Sequence, residues 1–492
     1  MAEEMKSGFD IADKTNPVYD DRIEDWQLCR DAVAGERVVK SKGTTYLPTQ
    51  GVNMDLTTAD GVERYNAYKQ RAVFEDMTEV TVESMTGIAF KTTPSINFSE
   101  FDEVAYLEQN IDGAGTMFKE QMKSALSGVI ITGRGALFVD YPRAEESSLA
   151  TDKELQASIH YYEAEDVVNW RTGSKNGNRR LEFVVLREKL AKETADIFGH
   201  DDDEAYQYRV LMINSDDVVE GFVVDKNDVI IEEPYILKAA GKMLDVIPFF
   251  LISAHGTTID VSEKPPVLKV ANVNMAHYRT TAEMYLSMHY HSAPQPVATG
   301  TTASWREEYA ASGAKFGTDE VLCLEEGANM FLLQGQFDAQ GFHKELERLR
   351  QTALDLGAKL LTNQTAGVES AEAIRLKESG GLSTMASIIL SLSSAYAEAV
   401  KMANKYMAGG EIEPKIELNT ELLKPSPDAS LVTSLLTSID RQVVGVSVLR
   451  DYLRAVGVIP ADMSNEDVEE ELSSQITGVP FPDSANVDEG VE

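Results

Sequence analysis

The chain has 492 residues, of which 43% are hydrophobic and 26% charged, and a formal net charge of −36. That length suits several domains or one large elongated subunit, and the composition is that of a folded chain rather than a disordered one. An acid excess this large, with no run of Lys and Arg, argues against tight nucleic-acid binding by phosphate neutralisation and otherwise serves solubility.

The two cysteines, Cys29 and Cys323, stand far apart, which fits neither a disulfide framework nor a zinc site and suits a reducing compartment. The opening "MAEEMKSGFD" lacks the pattern of a signal peptide. The longest apolar run, near Val246–Ala254, is too short to span a bilayer. No membrane association is expected.

In chain order, "ERYNAYKQRAVFEDMTEVTVESMTGIAF" (63–90) spaces Tyr65, Tyr68, Ala72, Val80 and Met85 at roughly helical intervals. A second helix is predicted over Met117–Ile131, running through Gly133 and Gly135 into a strand, Ala136–Pro142. From about Ile159 to Lys238, β-branched and aromatic runs separated by "SKNGN" and "DKND" predict an antiparallel meander. The acidic run "HDDDE" (200–204) falls at a turn within it.

After "KPP" (264–266) a long helix is predicted, with proline in its first turn. Leu268, Ala271, Met275, Tyr278, Ala282, Tyr285 and His289 alternate spacings of three and four. A small mixed segment, Val297–Gln334, reads as a short strand, a helix at "SWREEYAA" and a hairpin at "VLCLEEGANMFLLQ". Another helix, from Asp338, repeats the seam at Phe342, Leu346, Leu349, Ala353, Leu356 and Leu360. Both helices thus carry one narrow apolar seam suited to packing side by side, and a seam left without a partner in its own chain would call for neighbouring copies.

The polar loop "TNQTAG" (362–367) precedes a helix from Glu369 to Met407, with Met385, Ile388, Leu392, Tyr396, Ala399 and Ala403 on one face. Gly380 and Gly381 fall inside that pattern, where a kink is expected. Glu372 and Arg375 read as a helical ion pair, not a catalytic pair. A helical unit, Pro427–Val458, and an acidic tail without basic residues beyond Arg454 complete the chain.

Catalytic signatures fail on inspection. "GVIITGRG" (128–135) has P-loop spacing, but Arg134 stands where Lys is required and Gly135 where a hydroxyl is. "DKNDVIIEE" (225–233) lacks the central glycine of a calcium loop. His289 and His291 are two apart and point to different sides of a helix, away from joint chelation with His277. No HExxH, GxSxG or dinucleotide fingerprint is present. No catalytic residue, metal site or cofactor is assigned, and the chain does not read as an enzyme.

The order of elements, with "YLP" (46–48), "YKQRAVFEDMTEVTVESMTGIAFKTTP" (68–94), "GRGALFVDYP" (133–142), "YYEAEDVVNWR" (161–171) and "ESAEAIRLKESGGLSTMASIILSLSSAYAEAVKMANKYM" (369–407), resembles the portal proteins of tailed bacteriophages. Within them it is most similar to the group whose shared domain long carried only an unknown-function label. The resemblance implies an α+β, portal-like elongated subunit. Residues 1–264 would form a helical and β-rich wing, 265–291 and 338–361 a two-helix stem, and 292–337 a small α/β clip. Residues 362–408 would hold a tunnel loop and the long kinked wing helix, 409–475 a helical crown, and 476–492 an acidic tail.

It further implies a dodecameric ring at one capsid vertex of the virion, made in the host bacterial cytoplasm. The ring would be the channel for double-stranded DNA packaging and ejection. Its partners would be the major capsid protein, the large terminase subunit and the head–tail adaptor. Thr362, Asn363, Gln364 and Thr365 would face the DNA, and Gly380 and Gly381 would seat that loop. Trp305 and Glu307 are candidates for clip contact with a partner, although a place in the clip core is the more ordinary role for Trp305. An acidic channel would let DNA slide without tight binding. The alternatives are another virion ring such as a head–tail adaptor, a metal-dependent nuclease using "DDDE", and a plain helical scaffold.

Overall fold

A computed structural model describes residues 11–51, 54–91, 94–142, 155–189, 205–292, 295–312, 324–333, 337–361, 383–407, 409–418, 429–441 and 445–455, with 443, 459, 463 and 467–468. The chain divides into two units, Met1–Thr420 and Glu421–Glu492. The first mixes helices and antiparallel sheets in an α+β arrangement.

It opens with five helices: α1 (Pro17–Asp20), α2 (Ile23–Val33), α3 (Glu36–Ser41), α4 (Ala59–Arg71) and α5 (Met77–Ala89). Asn16 starts α1 by accepting the Val18 N–H, with Pro17 in the first turn. Its amide also donates to the Trp170 carbonyl at 3.0 Å, tying this end to the sheet region. The stretch 63–90 is not one helix. Ala72 is extended (ψ 140°), so the chain turns between α4 and α5 and buries Ala72 and Phe74 in the corner. Tyr65, Tyr68 and Met85 are buried, whereas Val80, expected on the same apolar face, is 57% exposed. The break resets the helical phase, so positions on either side no longer share a face.

Helix α6 (Phe118–Thr132) is buried along most of its length and ends at Gly133, whose φ of +88° suits glycine. The chain passes directly into a strand. The P-loop-like "GVIITGRG" is thus a helix-to-strand turn. The strands are β1 (Ser95–Ile96), β2 (Arg134–Asp140), β3 (Ser158–Glu163), β4 (Val167–Lys175), β5 (Asn178–Lys189), β6 (Tyr206–Ile213), β7 (Val219–Asp225) and β8 (Ile230–Ile236). β9 (Lys238–Ala239), β10 (Lys242–Met243) and β11 (Phe249–Ser253) follow.

β4 to β8 form a five-stranded antiparallel meander, and β3 belongs to a separate sheet of order β11-β2-β3. The single meander expected from Ile159 is therefore two sheets. Glu188 on β5 joins them: Arg209 on β6 donates to both of its oxygens (2.6 and 3.2 Å), and Tyr162 on β3 donates at 2.6 Å. Asn176 and Gly177, both at positive φ, make the β4–β5 turn. At "DKND", Asp225 accepts the Asn227 and Val229 N–H groups, and Asp228 accepts those of Ile11 and Ala12. These carboxylates hold backbone. "HDDDE" lies outside the described residues.

Among the described residues the remaining helices of this unit, in chain order, are α7 (Leu268–Ser292), α8 (Ala303–Ser312), α9 (Ala339–Leu361) and α10 (Thr384–Tyr406). α10 covers β11 and β2 and packs against α6. Tyr396 on α10 donates to Gln121 Oε1 at 3.1 Å, and its ring meets Phe118 edge-on, which in turn meets Phe98. The second unit contributes α11 (Ala429–Asp440) and α12 (Val446–Ala455).

Candidate functional site: a helix pair and its insert

Pro265 and Pro266 lack N–H groups, so they precede α7 without leaving donors unpaired. The first two-thirds of α7 is buried, including Val270, Ala271, Asn274, Met275, Tyr278 and Ala282. Asn274 does the work of a missing cap. Its Oδ1 accepts from the Thr78 N–H (3.0 Å) and hydroxyl (2.9 Å) at the start of α5, where Asp76 makes no side-chain cap. Its Nδ2 donates to the Glu75 carbonyl at 2.7 Å. A polar residue amid an apolar seam is the signal that could have found this anchor.

Next along α7, His277 is 3% exposed, with Nε2 3.9 Å from Glu75 Oε1 and no partner for Nδ1 among the described residues. Burial, aided by Arg350 and opposed by Glu75, holds its pKa below the ordinary histidine value. His289 instead meets Arg71 (3.3 Å), and His291 Nδ1 meets the Ser287 carbonyl (2.7 Å). The three histidines thus have different surroundings.

α9 runs antiparallel to α7. His291 at the end of α7 lies against Phe337 before α9, while Leu268 and Lys269 share a cavity with Lys359 and Leu360. The two helices pack on one another, and α9 buries Leu349, Ala353 and Gly357. The seams therefore pack on one another within the chain, as their matching spacings suggest. What they leave open is at the other end: Met288 is 41% and Tyr290 58% exposed.

There the insert begins. β12 (Gln295–Thr299) pairs with β13 (Asn329–Leu333), from Gln295↔Leu333 to Thr299↔Asn329. Thus β13 takes β12 as a partner, and Val321–Cys323, which the sequence places in a local hairpin with it, lie outside the described residues. Thr302 closes the insert, donating its N–H and hydroxyl to the Glu325 carboxylate at 2.8 and 2.6 Å. Phe331, Leu332 and Leu333 are 49, 52 and 57% exposed, so neither face of β13 is covered among the described residues. On α8, Trp305 is half-buried and stacks on Tyr309 (5.0 Å, 12°), and Glu307 is exposed. Among the described residues Trp305 packs on Tyr309 of its own helix.

The long helix also differs from expectation. Ser383 is extended (ψ 155°) and accepts the Ala386 N–H, so α10 starts at Thr384 and no single helix runs from Glu369 through Ser383. Gly380, Gly381, Thr362, Asn363, Gln364 and Thr365 lie outside the described residues. Among the described residues no group of three or more His, Cys, Asp or Glu is placed to hold a metal ion, and no helix is long and apolar enough to cross a membrane.

Residues 266–407 match a family described as a domain of unknown function, DUF4055. The matched segment contains α7, the insert, α9 and α10, a smaller part of the chain than the resemblance drawn from the sequence. No curated protein matches the chain. Among solved structures, a chain from the neck of an empty gene transfer agent (GTA) particle computed with C6 symmetry is 13% identical. That alignment covers 81% of this chain and 90% of that one, with a TM-score of 0.37. A chain from the virion of a native GTA particle is also 13% identical (81% and 89% covered, TM-score 0.37). One from the neck of a native particle computed with C12 symmetry is 14% identical (82% and 90%, 0.36). Scores at this level do not establish a shared fold.

Charge is distributed unevenly across this module. α7 and α9 carry Lys269, Arg279, Lys344, Arg348, Arg350 and Lys359 against Glu283, Glu345, Glu347 and Asp355, in a chain of net charge −36. The expected acidic character does not extend to these two helices.

Proposed function

We propose that the chain is a ring-forming portal subunit, the head-to-tail connector at one capsid vertex, whose channel passes double-stranded DNA during packaging and ejection. The observation that carries this reading is the antiparallel α7–α9 pair, buried among α2, α4 and α5 at one end and bearing an exposed apolar insert at the other. Such a pair offers a fixed stem and a docking tip. Phe331, Leu332 and Leu333, three consecutive exposed apolar residues, are costly in an isolated subunit and suited to contact with a neighbour or a docking protein.

In this reading 1–264 is the wing, α7 and α9 are the stem and the insert is the clip that meets the large terminase subunit and later the head–tail adaptor. Trp305 and Glu307 are the contact residues nominated there. Thr362–Thr365 face the DNA, Gly380 and Gly381 let the following segment bend, and 409–475 forms the crown. The ring, a dodecamer in the portal pattern, sits in the virion beside the major capsid protein. No catalytic step is assigned to it.

Mass photometry of the purified chain, with negative-stain imaging, tests the reading. A dodecamer-mass particle with a central hole is the expected result. A compact dimer without a hole at micromolar concentration would overturn it and return the nuclease and scaffold readings to consideration.

A further inference from the structure

At the body end of the helix pair a cavity of about 430 Å³ opens between the segment before α7, the end of α9 and the start of α10. Lys264, Lys269 and Lys359 line it. All three are exposed, and none has a hydrogen-bond or ion-pair partner among the described residues. Three unpaired ammonium groups around one cavity stand out in a chain with 81 acidic and 45 basic residues.

Among the described residues the one carboxylate in the lining does not answer them. Glu263 is 8% exposed and turned inward. It accepts from the Ser253 hydroxyl at 3.0 and 3.2 Å and from Thr257 Oγ1, and His255 Nδ1 lies 3.4 Å away. Behind it stands the buried guanidinium of Arg134, whose charge its own offsets. The remaining walls are mostly apolar, with Pro265, Pro266, Val270, Leu356 and Leu360. Apolar walls weaken dielectric screening and strengthen the pull of the lysines on an anion.

Two long helices also begin here. Leu268 of α7 and Thr384 of α10 both line the cavity, and neither helix has an acidic residue in its first turn. Their two positive ends add to the lysine field, and the negative end of α9, which also reaches the cavity, offsets part of it.

We infer that this cavity is an oxyanion site that takes phosphate groups. Lysines suit that ligand as point charges able to follow a moving phosphate, where a bidentate arginine fork would fix it. The assignment of the phosphate to a DNA backbone rests on the portal reading above, because Leu361 and Ser383 flank the segment that reading places beside DNA. The phosphate chemistry itself stands on the lysines and the two helix ends. A free polyphosphate would satisfy the same groups.

The test uses the full-length chain in three forms: wild type, K264A/K269A/K359A, and K226A/K238A/K242A. The last removes the same charge from the β7–β10 region. A fluorescent duplex of about 30 bp is titrated at low salt and then displaced with tripolyphosphate, and mass photometry of the same samples records the ring. The expected result is that the cavity triple weakens duplex affinity about tenfold or more and lowers the salt slope by about two to three. The control triple should shift affinity less than about twofold. K264R/K269R/K359R, which keeps the charges, should retain binding, separating lost charge from lost folding.

Tripolyphosphate binding that depends on the three lysines, without duplex binding or a ring, would keep the phosphate site and overturn its assignment to DNA. Equal loss in both alanine triples, or no binding of either probe, would overturn the site. A ring that forms while the site fails would leave the portal reading standing.

Discussion

The two ends of the α7–α9 pair obey different rules. At the body end Asn274, Met275 and Tyr278 are at most 2% exposed, and the three hydrogen bonds of Asn274 are all 3.0 Å or shorter. At the insert end Tyr290 and Leu333 are more than half exposed, and among the described residues the sheet there has only β12 and β13. One helix thus begins in a close-packed interior and ends on a surface. Substitutions should separate the two: loss of stability at one end, loss of association at the other.

The largest effect is expected for Phe118→Ala in the body, which leaves a cavity between Phe98 and Tyr396 and should cost about 3–5 kcal/mol in urea unfolding. Phe331→Ala removes a ring of the same size but half-exposed, and should cost less than about 1 kcal/mol. Its effect should appear in assembly or partner binding. Equal destabilisation by the two would mean that the insert has a core of its own.

Asn274→Ala ranks next. It removes three hydrogen bonds and leaves the Thr78 N–H without a partner and the Glu75 carbonyl with only the Met77 N–H, for about 1–3 kcal/mol in the same measurement. Trp305→Ala with Glu307→Ala, at the insert end, should change stability by less than about 1 kcal/mol. In the proposed reading it weakens binding of the purified terminase or adaptor. Unchanged binding of both would remove these two residues from the clip contact.

His277 adds a pH dependence confined to the body end. Its folded pKa lies below the ordinary value of 6.5 because the ring is buried. As pH falls, the unfolded chain takes the proton first, so stability is complete above about 6.5 and declines as pH drops below it. His277→Gln, measured from pH 7.5 to about 5 by thermal unfolding, should flatten that decline. An unchanged slope would place the titrating group elsewhere.

Periodicity made much of the framework legible. The seams of α7 and α9, the α6-to-β2 turn and the meander strands are each stated by spacing or turn chemistry. What spacing cannot state is who faces whom. It placed Val80 on a core face because it cannot see the extended backbone at Ala72. It ran one helix through Ser383, where a serine that caps reads the same as a serine on a solvated face. The lysine cavity was illegible for the same reason: Lys264, Lys269 and Lys359 are separate surface residues until the fold closes α9 back on α7.

The smallest expected effect lies where α9 crosses α5. Gly357 is buried inside α9, where alanine would be favoured by about 1 kcal/mol on backbone entropy alone. A β-carbon there would stand 3.2 Å from Thr81 Cγ2, closer than ordinary van der Waals contact. Thr81 cannot turn away without cost, because its hydroxyl donates to the Met77 carbonyl at 2.7 Å and this fixes the rotamer. The two effects oppose, so Gly357→Ala should change stability by less than about 0.5 kcal/mol. Thr81→Ser removes the obstructing methyl and keeps the hydrogen bond. In that background Gly357→Ala should stabilise by about 0.5–1 kcal/mol, and the double-mutant cycle should return a coupling of the same size. No coupling would mean that α5 and α9 are not in contact at this crossing, and the closed body end of the pair would have to be redrawn.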